Sequence, residues 1–579
     1  MSVEVTQGTA RIREAGDSAL VLEIGVSGPS IWQAGIDVAV NARAIAVART
    51  VRLRMIAGVR DVISTFRSVA VFFDPLSTDV AAVAAALHDA LGVADPLHRT
   101  TQGVESIHEV GPAPPGGGRS IEVPVIYGGD AGPDLADVAA YAGCSPATVI
   151  ERHAFREYRV FMLGFLPGFA YMATVDETIA APRRATPRLR VPAGSVGIAE
   201  RQTGIYPRES PGGWQIIGGT ALTLFDPGQT PPALFAPGDR VRFVPTAIEG
   251  ATRPARQTQA SLQADPAMPA ATRYVTVLRP GLLTTVQDSG RWGYQAFGVP
   301  VSGPMDYAAH RLANAVVGNP PDAASLEATW LGPELRMEQE TRVVVAGADL
   351  QATLDSADLP LHAPIRCRAG SVLRFAGRRS GARAYVAFDG GIAVPPVLGS
   401  RATHVLSGLG GIGGRAVRAG DCIPLGSAGT ASGETRADWP GSLVGGARLR
   451  VLPGPQAEHF APSALETLQS TRYTVSLQSD RMGYRLTGGT PVPFGVSGEI
   501  ISDAAFLGGV QVPPSGDPIL LMADRQTTGG YPQLAVVITA DLPLAGQLRP
   551  GDWVEFNVCG RADAIAALIE LEGKLLAVR

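Results

Sequence analysis

Residues 191–207, VPAGSVGIAERQTGIYP, return near the other end of the chain as VPPSGDPILLMADRQTTGGYP at residues 512–532. Both stretches open on Val-Pro and carry Arg-Gln-Thr ahead of a glycine and a Tyr-Pro pair. Each is followed by a turn and a closing strand, APGDRVRF at 236–243 and RPGDWVEF at 549–556, and RAGDCIPL at 418–425 is a third such closer. Self-similarity of this kind marks one structural unit used more than once. Short runs of Val, Ile, Phe and Leu punctuated by Gly and Pro make that unit a β barrel or sandwich, expected three times.

The rest of the chain divides around these units. Residues 1–98 alternate strand-like runs (18–24, 68–73) with helical stretches (41–57, 80–91), an α+β module. Residues 96–120 are rich in Pro and Gly and read as a linker. A strand, IEVPVIY, then opens a module spanning 120–245. A helical pair follows it, LADVAAYAG and SPATVIERHAFRE, with Ser145 as N-cap and Pro146 in the first turn. Residues 246–273 are small, polar and Pro-bearing, the expected fusion linker between two formerly separate proteins. Residues 274–430 and 440–579 form two further halves, parted at 426–438. One clear helix is expected at 305–317 and an amphipathic one at 562–576. The fold class is thus mainly β with an α+β N-terminal domain and tandem barrels.

Composition removes several functions. A formal net charge of -4 and a pI near 6.1 leave no basic excess to neutralise phosphates, which argues against nucleic acid and for a small-molecule or protein partner. The four cysteines are far apart, with neither a disulfide framework nor a zinc ribbon. The sequence MSVEVTQGTARIREAGDSAL does not read as an export signal, and no long apolar span follows, so the expectation is a cytoplasmic chain without a membrane partner. Lys574 is the sole lysine. A GxxxxGK[ST] loop, a pyridoxal Schiff base and a biotinylated lysine each need a lysine in a setting that LEGKLLAVR does not supply.

Four clusters carry candidate chemistry. The first is GFLPGFAYM at 164–172 with His153, Tyr158, Arg188 and Tyr206, where tight turns would aim backbone N–H groups at a carboxylate or amide. Aromatic-packed barrel corners are the alternative, and a lone helical His153 reads equally as a packing residue. The second is TVQDSGRWGYQAFGVPVSGPMD at 285–306, followed by Asn314, Asn319 and Glu327. Its Asp288 and Arg291 would either pair in a turn or offer a carboxylate and an anion clamp. Asp306 would serve as a base or as a helix N-cap. The third, at 389–415, is glycine-rich without a following lysine, and Arg401 is its candidate carboxylate or phosphate fork. The fourth joins SDRMGYRL and VSGEI to Gln511, Asp524, Gln526, Thr527, Thr528 and Tyr531, polar groups suited to an amide or lactam.

In this order the motifs resemble the KipI family over about residues 10–245, through GDSAL, RHA, FLPGFAYM, VPAGSVGIA, TGIYP and PGGWQIIG. Over about 274–560 they resemble the KipA family, through QDSGRWG, GVPVSGPMD, GSR, RMGYRL, QVP and DRQTTGGYP. The resemblance implies cyclophilin-like β-barrels and the B and C components of an ATP-dependent 5-oxoprolinase, a lactam hydrolase inactive without a LamB/YcsF-type A component. It implies ATP, with magnesium as a companion ion, and a cyclic amide as substrate. Biotin on this chain is not expected, no metal ligands are assigned, and self-association is left open. On this reading Asp288, Asp306 and His153 are catalytic. Arg291, Arg401, Gln511, Asp524, Gln526, Thr527, Tyr531, Arg188 and Tyr206 bind substrate. Regulation of a sensor histidine kinase and handling of urea or allophanate are the competing readings. The chain departs from the family's IIGRTP at Gly218-Gly219-Thr220-Ala221, and from its GSRSTD at Gly399-Ser400-Arg401-Ala402-Thr403-His404. Both departures bear on anion binding and acid–base roles nearby.

Overall fold

The computed structural model describes residues 5–7, 10–25, 36–94, 118–246, 273–428, 437, 439, 444–496 and 500–578. Most of both expected linkers, at 95–117 and 247–272, lies outside the described residues, as does much of the break at 426–438.

The N-terminal layer is a five-stranded antiparallel sheet in the order Val5–Gln7, Ala10–Glu14, Ala19–Ile24, Ser68–Phe73, Val59–Ser64. Helices Val38–Leu53 and Val80–Val93 begin at Asp37 and Asp79, whose carboxylates accept from the first-turn N–H groups. The strands ALVLEI and SVAVFF are buried at every position. The packing gives the reason. One face of the sheet packs on the two helices through Leu20, Leu22, Val69 and Val71, and the other meets Ala504, Phe506 and Val536 through Ala19, Val21, Ala70 and Phe72. A sheet covered on both sides has no solvent face to alternate with, so its strands read as continuous apolar runs.

Two closed seven-stranded barrels follow in tandem. In the first, the closing strand Arg240–Pro245 pairs in parallel with the opening strand Ser120–Tyr127. In the second, Trp553–Val558 pairs in parallel with Gly446–Pro453 in the same way. Residues 274–430 differ from the expected third barrel. They form a six-stranded and a five-stranded sheet, and the closer Cys422–Pro424 runs antiparallel to Tyr274–Arg279. The two sheets share one core, Val275, Val277 and Leu335 from the first meeting Leu326, Val345 and Val386 from the second.

What the three closers share is their turn. Asp239, Asp421 and Asp552 each donate a backbone N–H to the carbonyl three residues back, on Ala236, Arg418 and Arg549. Their carboxylates accept the N–H of those same residues at 2.9, 2.7 and 3.1 Å. The glycine before each aspartate has φ of 98°, 89° and 89°, the left-handed conformation a type II turn demands. Sequence similarity in these segments therefore fixed the turn, while the pairing partner of the strand was set by the rest of the sheet.

The barrel interiors are filled by their own side chains. Val123, Val160, Met172, Ile198 and Phe243 occupy the first, and Leu449, Val475, Leu486, Val510 and Leu520 the second. Polar groups gather instead between the barrels. The helix Tyr307–Val317 lies against the five-stranded sheet. The terminal helix Arg561–Leu576 packs beside that helix and the second barrel through Leu575 and Ala564. Lys574 on it is exposed and pairs with Glu570 at 2.7 Å. Two short helices, Ala464–Ser470 and Leu542–Gly546, carry too few residues to leave a periodic signal. No helix among the described residues is long and apolar enough to cross a membrane.

Candidate functional site

The four sequence clusters meet at the seam between the first barrel and the rest of the chain. Gly168 in the FLPGF turn donates its N–H to the Phe297 carbonyl at 2.9 Å, joining the first cluster to the second. Gly164 lies so close to Thr528 that a Cβ there would stand 2.0 Å from its Oγ1, which brings the fourth cluster against the first. Tyr171, its hydroxyl raised in pKa by burial, faces Thr528 and Ser502 as well. Arg525 donates to Gln295 Oε1 at 3.2 Å, tying the fourth cluster to the second. The third cluster reaches the first where Gly408 abuts the guanidinium of Arg208.

Asp288 and Arg291 do not pair in isolation but together shape the third cluster. Asp288 Oδ1 accepts from Ser400 Oγ at 2.6 Å and from the Gly290 N–H at 3.0 Å, and Oδ2 accepts the Arg401 N–H. Arg291 is wholly buried and donates to the carbonyls of Val397 at 2.9 Å and Ala402 at 2.7 Å. Burial pushes its pKa down to about 10, with Asp288 and Asp524 opposing. Its Nη1 is buried without a hydrogen-bond partner among the described residues. Arg401 donates through Nε to the Val394 carbonyl at 2.7 Å.

Both oxygens of Asp306 are taken. Oδ1 caps the helix Tyr307–Val317 by accepting the Ala309 N–H at 2.9 Å, and Oδ2 accepts from Gln547 Nε2 at 2.7 Å. Burial raises its pKa to about 6. His153 is likewise engaged on both sides, by Tyr127 Oη at 2.8 Å and Thr203 Oγ1 at 2.9 Å. Because Thr203 spends its proton on the Gly197 carbonyl, His153 Nε2 must donate and Nδ1 must accept, the neutral tautomer. Burial holds its pKa down at about 3. The ring sits in the core of the first barrel against Phe243, at 4.5 Å between centroids.

Other candidates lie apart from one another. Arg188 forms a fork with Asp134 at 2.6 and 2.8 Å beside the helix Leu135–Tyr141. Tyr206 packs among Phe165, Phe169 and Trp214. Gln511 donates to the Tyr531 carbonyl at 3.3 Å, and Gln526 is half-buried. Thr527 is buried with its hydroxyl unpartnered among the described residues.

Asp524 belongs to an ion cluster. Arg481 donates to it through Nε at 2.8 Å and Nη2 at 3.1 Å, donates to the Gly303 carbonyl at 2.7 Å, and bonds Glu327. Tyr385 Oη and the Met305 N–H complete the shell of Glu327 at 2.7 and 2.8 Å. Burial alone would raise the Asp524 carboxyl, but Arg481, His404 and Ser302 outweigh it and hold it below the ordinary value. His404 itself is buried, with both ring nitrogens unpartnered among the described residues. Arg481 and Arg208 stand out only in three dimensions. In sequence they are two arginines among many, Arg481 inside SDRMGYRL and Arg208 just past TGIYP. No three His, Cys, Asp or Glu gather to hold a metal ion among the described residues.

Two family models match this arrangement: "Carboxyltransferase domain, subdomain C and D" over residues 10–235, and "Carboxyltransferase domain, subdomain A and B" over residues 297–558. The fold is that of a paired carboxyltransferase-domain protein. The C component of the 5-oxoprolinase of Escherichia coli (strain K12) is 37% identical over 291 residues, 50% of this chain and 93% of that protein. The B component of the 5-oxoprolinase of Bacillus subtilis (strain 168) is 39% identical over 235 residues, 40% of this chain and 92% of that protein. The crystal structure of TTHA0988 superposes with a TM-score of 0.79 at 34% identity, covering 93% of this chain and 99% of that one. The urea amidolyase of Saccharomyces cerevisiae is 33% identical over 304 residues, 49% of this chain but 16% of that protein. The chain belongs to the family of 5-oxoprolinase B and C components, with the B part preceding the C part in one polypeptide.

Proposed function

We propose that this chain supplies the B and C components of an ATP-dependent 5-oxoprolinase, opening 5-oxoproline to L-glutamate together with a separate LamB/YcsF-type A component. The observation that carries the reading is the convergence of all four clusters where the B-like and C-like parts touch, through Gly164 and Thr528, Gly168 and Phe297, Arg208 and Gly408. A site built at that seam needs both parts, which accords with relatives named as two components of one enzyme.

A lactam is a resonance-stabilised amide, and phosphoryl transfer from ATP to its oxygen would make the ring carbon electrophilic. The residues of the seam supply binding and orientation. Arg291 and Arg401 present positive charge, Thr527 a hydroxyl, and Asp288 fixes the loop that carries Arg401. Asp306 and His153 act as scaffold, since their polar atoms are already spent.

The purified chain with its A-type partner and ATP is expected to release phosphate and glutamate only when 5-oxoproline is present. Equal phosphate release with urea or with no amide would contradict it. The likeness to urea amidolyase favours a second reading, urea or allophanate as substrate, which the same assay separates by product.

A further inference from the structure

We propose that a small oxyanion, a carboxylate or a phosphoryl group, binds at the seam between the first barrel and the glycine-rich segment 407–414, held by Arg208, Arg291, His404 and Ser407. Three of these groups, Arg208, Arg291 and His404, are brought together by the glycine-rich segment, and Ser407 lies next to Gly408 in it. Arg208 is half-buried yet makes no hydrogen bond or ion pair among the described residues. A Cβ built on Gly408 would lie 3.0 Å from its Nη2, and one on Gly410 would lie 2.7 Å from Arg291 Nη2. Gly408 sits in the short hairpin closed by His404 and Leu409, which exchange backbone bonds at 2.9 and 3.1 Å, and Gly410 follows directly after it. His404 in turn is in electrostatic reach of Arg208, Arg291, Arg481 and Asp524.

Each of these side chains has polar capacity left over. Arg291 Nη1, both ring nitrogens of His404 and Ser407 Oγ are buried without hydrogen-bond partners among the described residues. Burying a polar group unpaired is costly, and burying an unpaired charge more so. Burial accordingly lowers the pKa of Arg208. Buried polar atoms left without partners in one neighbourhood, with Ser407 next to Gly408 in the chain, point to a ligand that satisfies them.

The charge balance sets the sign of that ligand. Asp524 is spent on Arg481, and Asp288, which acts on Arg291, is spent on Ser400 and two backbone N–H groups, so Arg208 is the cation left without a carboxylate partner among the described residues. His404 adds no charge of its own. Burial, assisted by the three arginines and opposed by Asp524, lowers its pKa to about 4, and the neutral ring both donates and accepts. Arginine forks fit the planar carboxylate and the phosphoryl oxygens equally. Arg208 comes from the B-like part and the other three groups from the C-like part, so the anion would bridge the two.

The proposal concerns binding and stands independently of ring opening, so it is tested on the full chain alone. Inorganic phosphate and 5-oxoproline are each titrated calorimetrically at low salt. At least one should bind saturably, and the tighter of the two tells phosphoryl from carboxylate recognition. Arg208→Met should weaken that binding roughly 10- to 100-fold, with a thermal midpoint unchanged or higher because a desolvated unpaired charge is gone. Ser407→Ala should weaken it less, and serves if the first variant folds poorly. Arg242→Met, an exposed arginine paired with Glu122, should leave binding intact. Absence of binding by both anions, or undiminished binding in Arg208→Met and Ser407→Ala, would overturn the assignment.

Discussion

Arg481→Met is expected to destabilise the protein by roughly 3–5 kcal/mol, the cost of stripping one partner from a buried ion pair. The guanidinium bonds Asp524 on the second barrel, Glu327 on the five-stranded sheet and the Gly303 carbonyl in the loop between them. Glu327 and Asp524 are 1% and 6% exposed, so neither carboxylate can turn to water when Arg481 is lost. Methionine fills the volume but strips Asp524 of its fork and leaves Glu327 with Arg383 at 3.9 Å as its nearest cation among the described ion pairs. Adding Glu327→Gln and Asp524→Asn removes those charges and should restore most of the loss. Urea midpoints for the single and triple variants read the difference, and a single variant as stable as the parent would show that the cluster is solvated.

Gly164→Ala is expected to reduce 5-oxoproline-dependent turnover about 100-fold, the scale on which a misplacement of about 1 Å acts on an oriented site. A Cβ at this position meets Thr528 Oγ1 at 2.0 Å, Cγ2 at 2.8 Å and Cβ at 2.9 Å. A rotamer change clears the first two atoms but not the third, so the first barrel and the 523–531 segment must part. The backbone itself tolerates alanine, because Gly164 has no left-handed φ. Stability should therefore fall much less than activity. Thr528→Ala in the Gly164→Ala background removes two of the three clashing atoms, and should recover part of the turnover. Activity of Gly164→Ala equal to the parent's would mean that the two parts need not touch at this point.

Much of this architecture could be read from residues. The strand Ser68–Phe73 and the helix start at Ser145 fall where apolar runs and capping chemistry put them. The N-cap alternative at Asp306 is the one its hydrogen bonds realise. The repeated Gly-Asp closers located three equivalent turns, yet they could not say that Cys422–Pro424 pairs antiparallel in an open sheet. Strand pairing depends on distant segments, whereas a type II turn is decided by four neighbours.

The candidate site was legible as clusters and illegible as contacts. Glycine- and proline-dense motifs mark tight turns, and all four of those turns reach the seam. What motifs cannot convey is which polar atoms remain unspent once the turns pack. Asp288, Asp306 and His153 look like reactive groups in a string of letters, but in the fold they are acceptors and donors already matched. Arg208 carries the opposite signature, ordinary in sequence and without a partner among the described residues, as does His404, which the sequence marked only as a departure from the family motif.

A crystal structure of the full chain with 5-oxoproline bound tests the seam most directly. The ligand is predicted to lie at the seam beside Arg291, touched by residues from both sides of the 246–273 linker. Density confined to the interior of either barrel, or to a surface made by one part alone, would contradict that location.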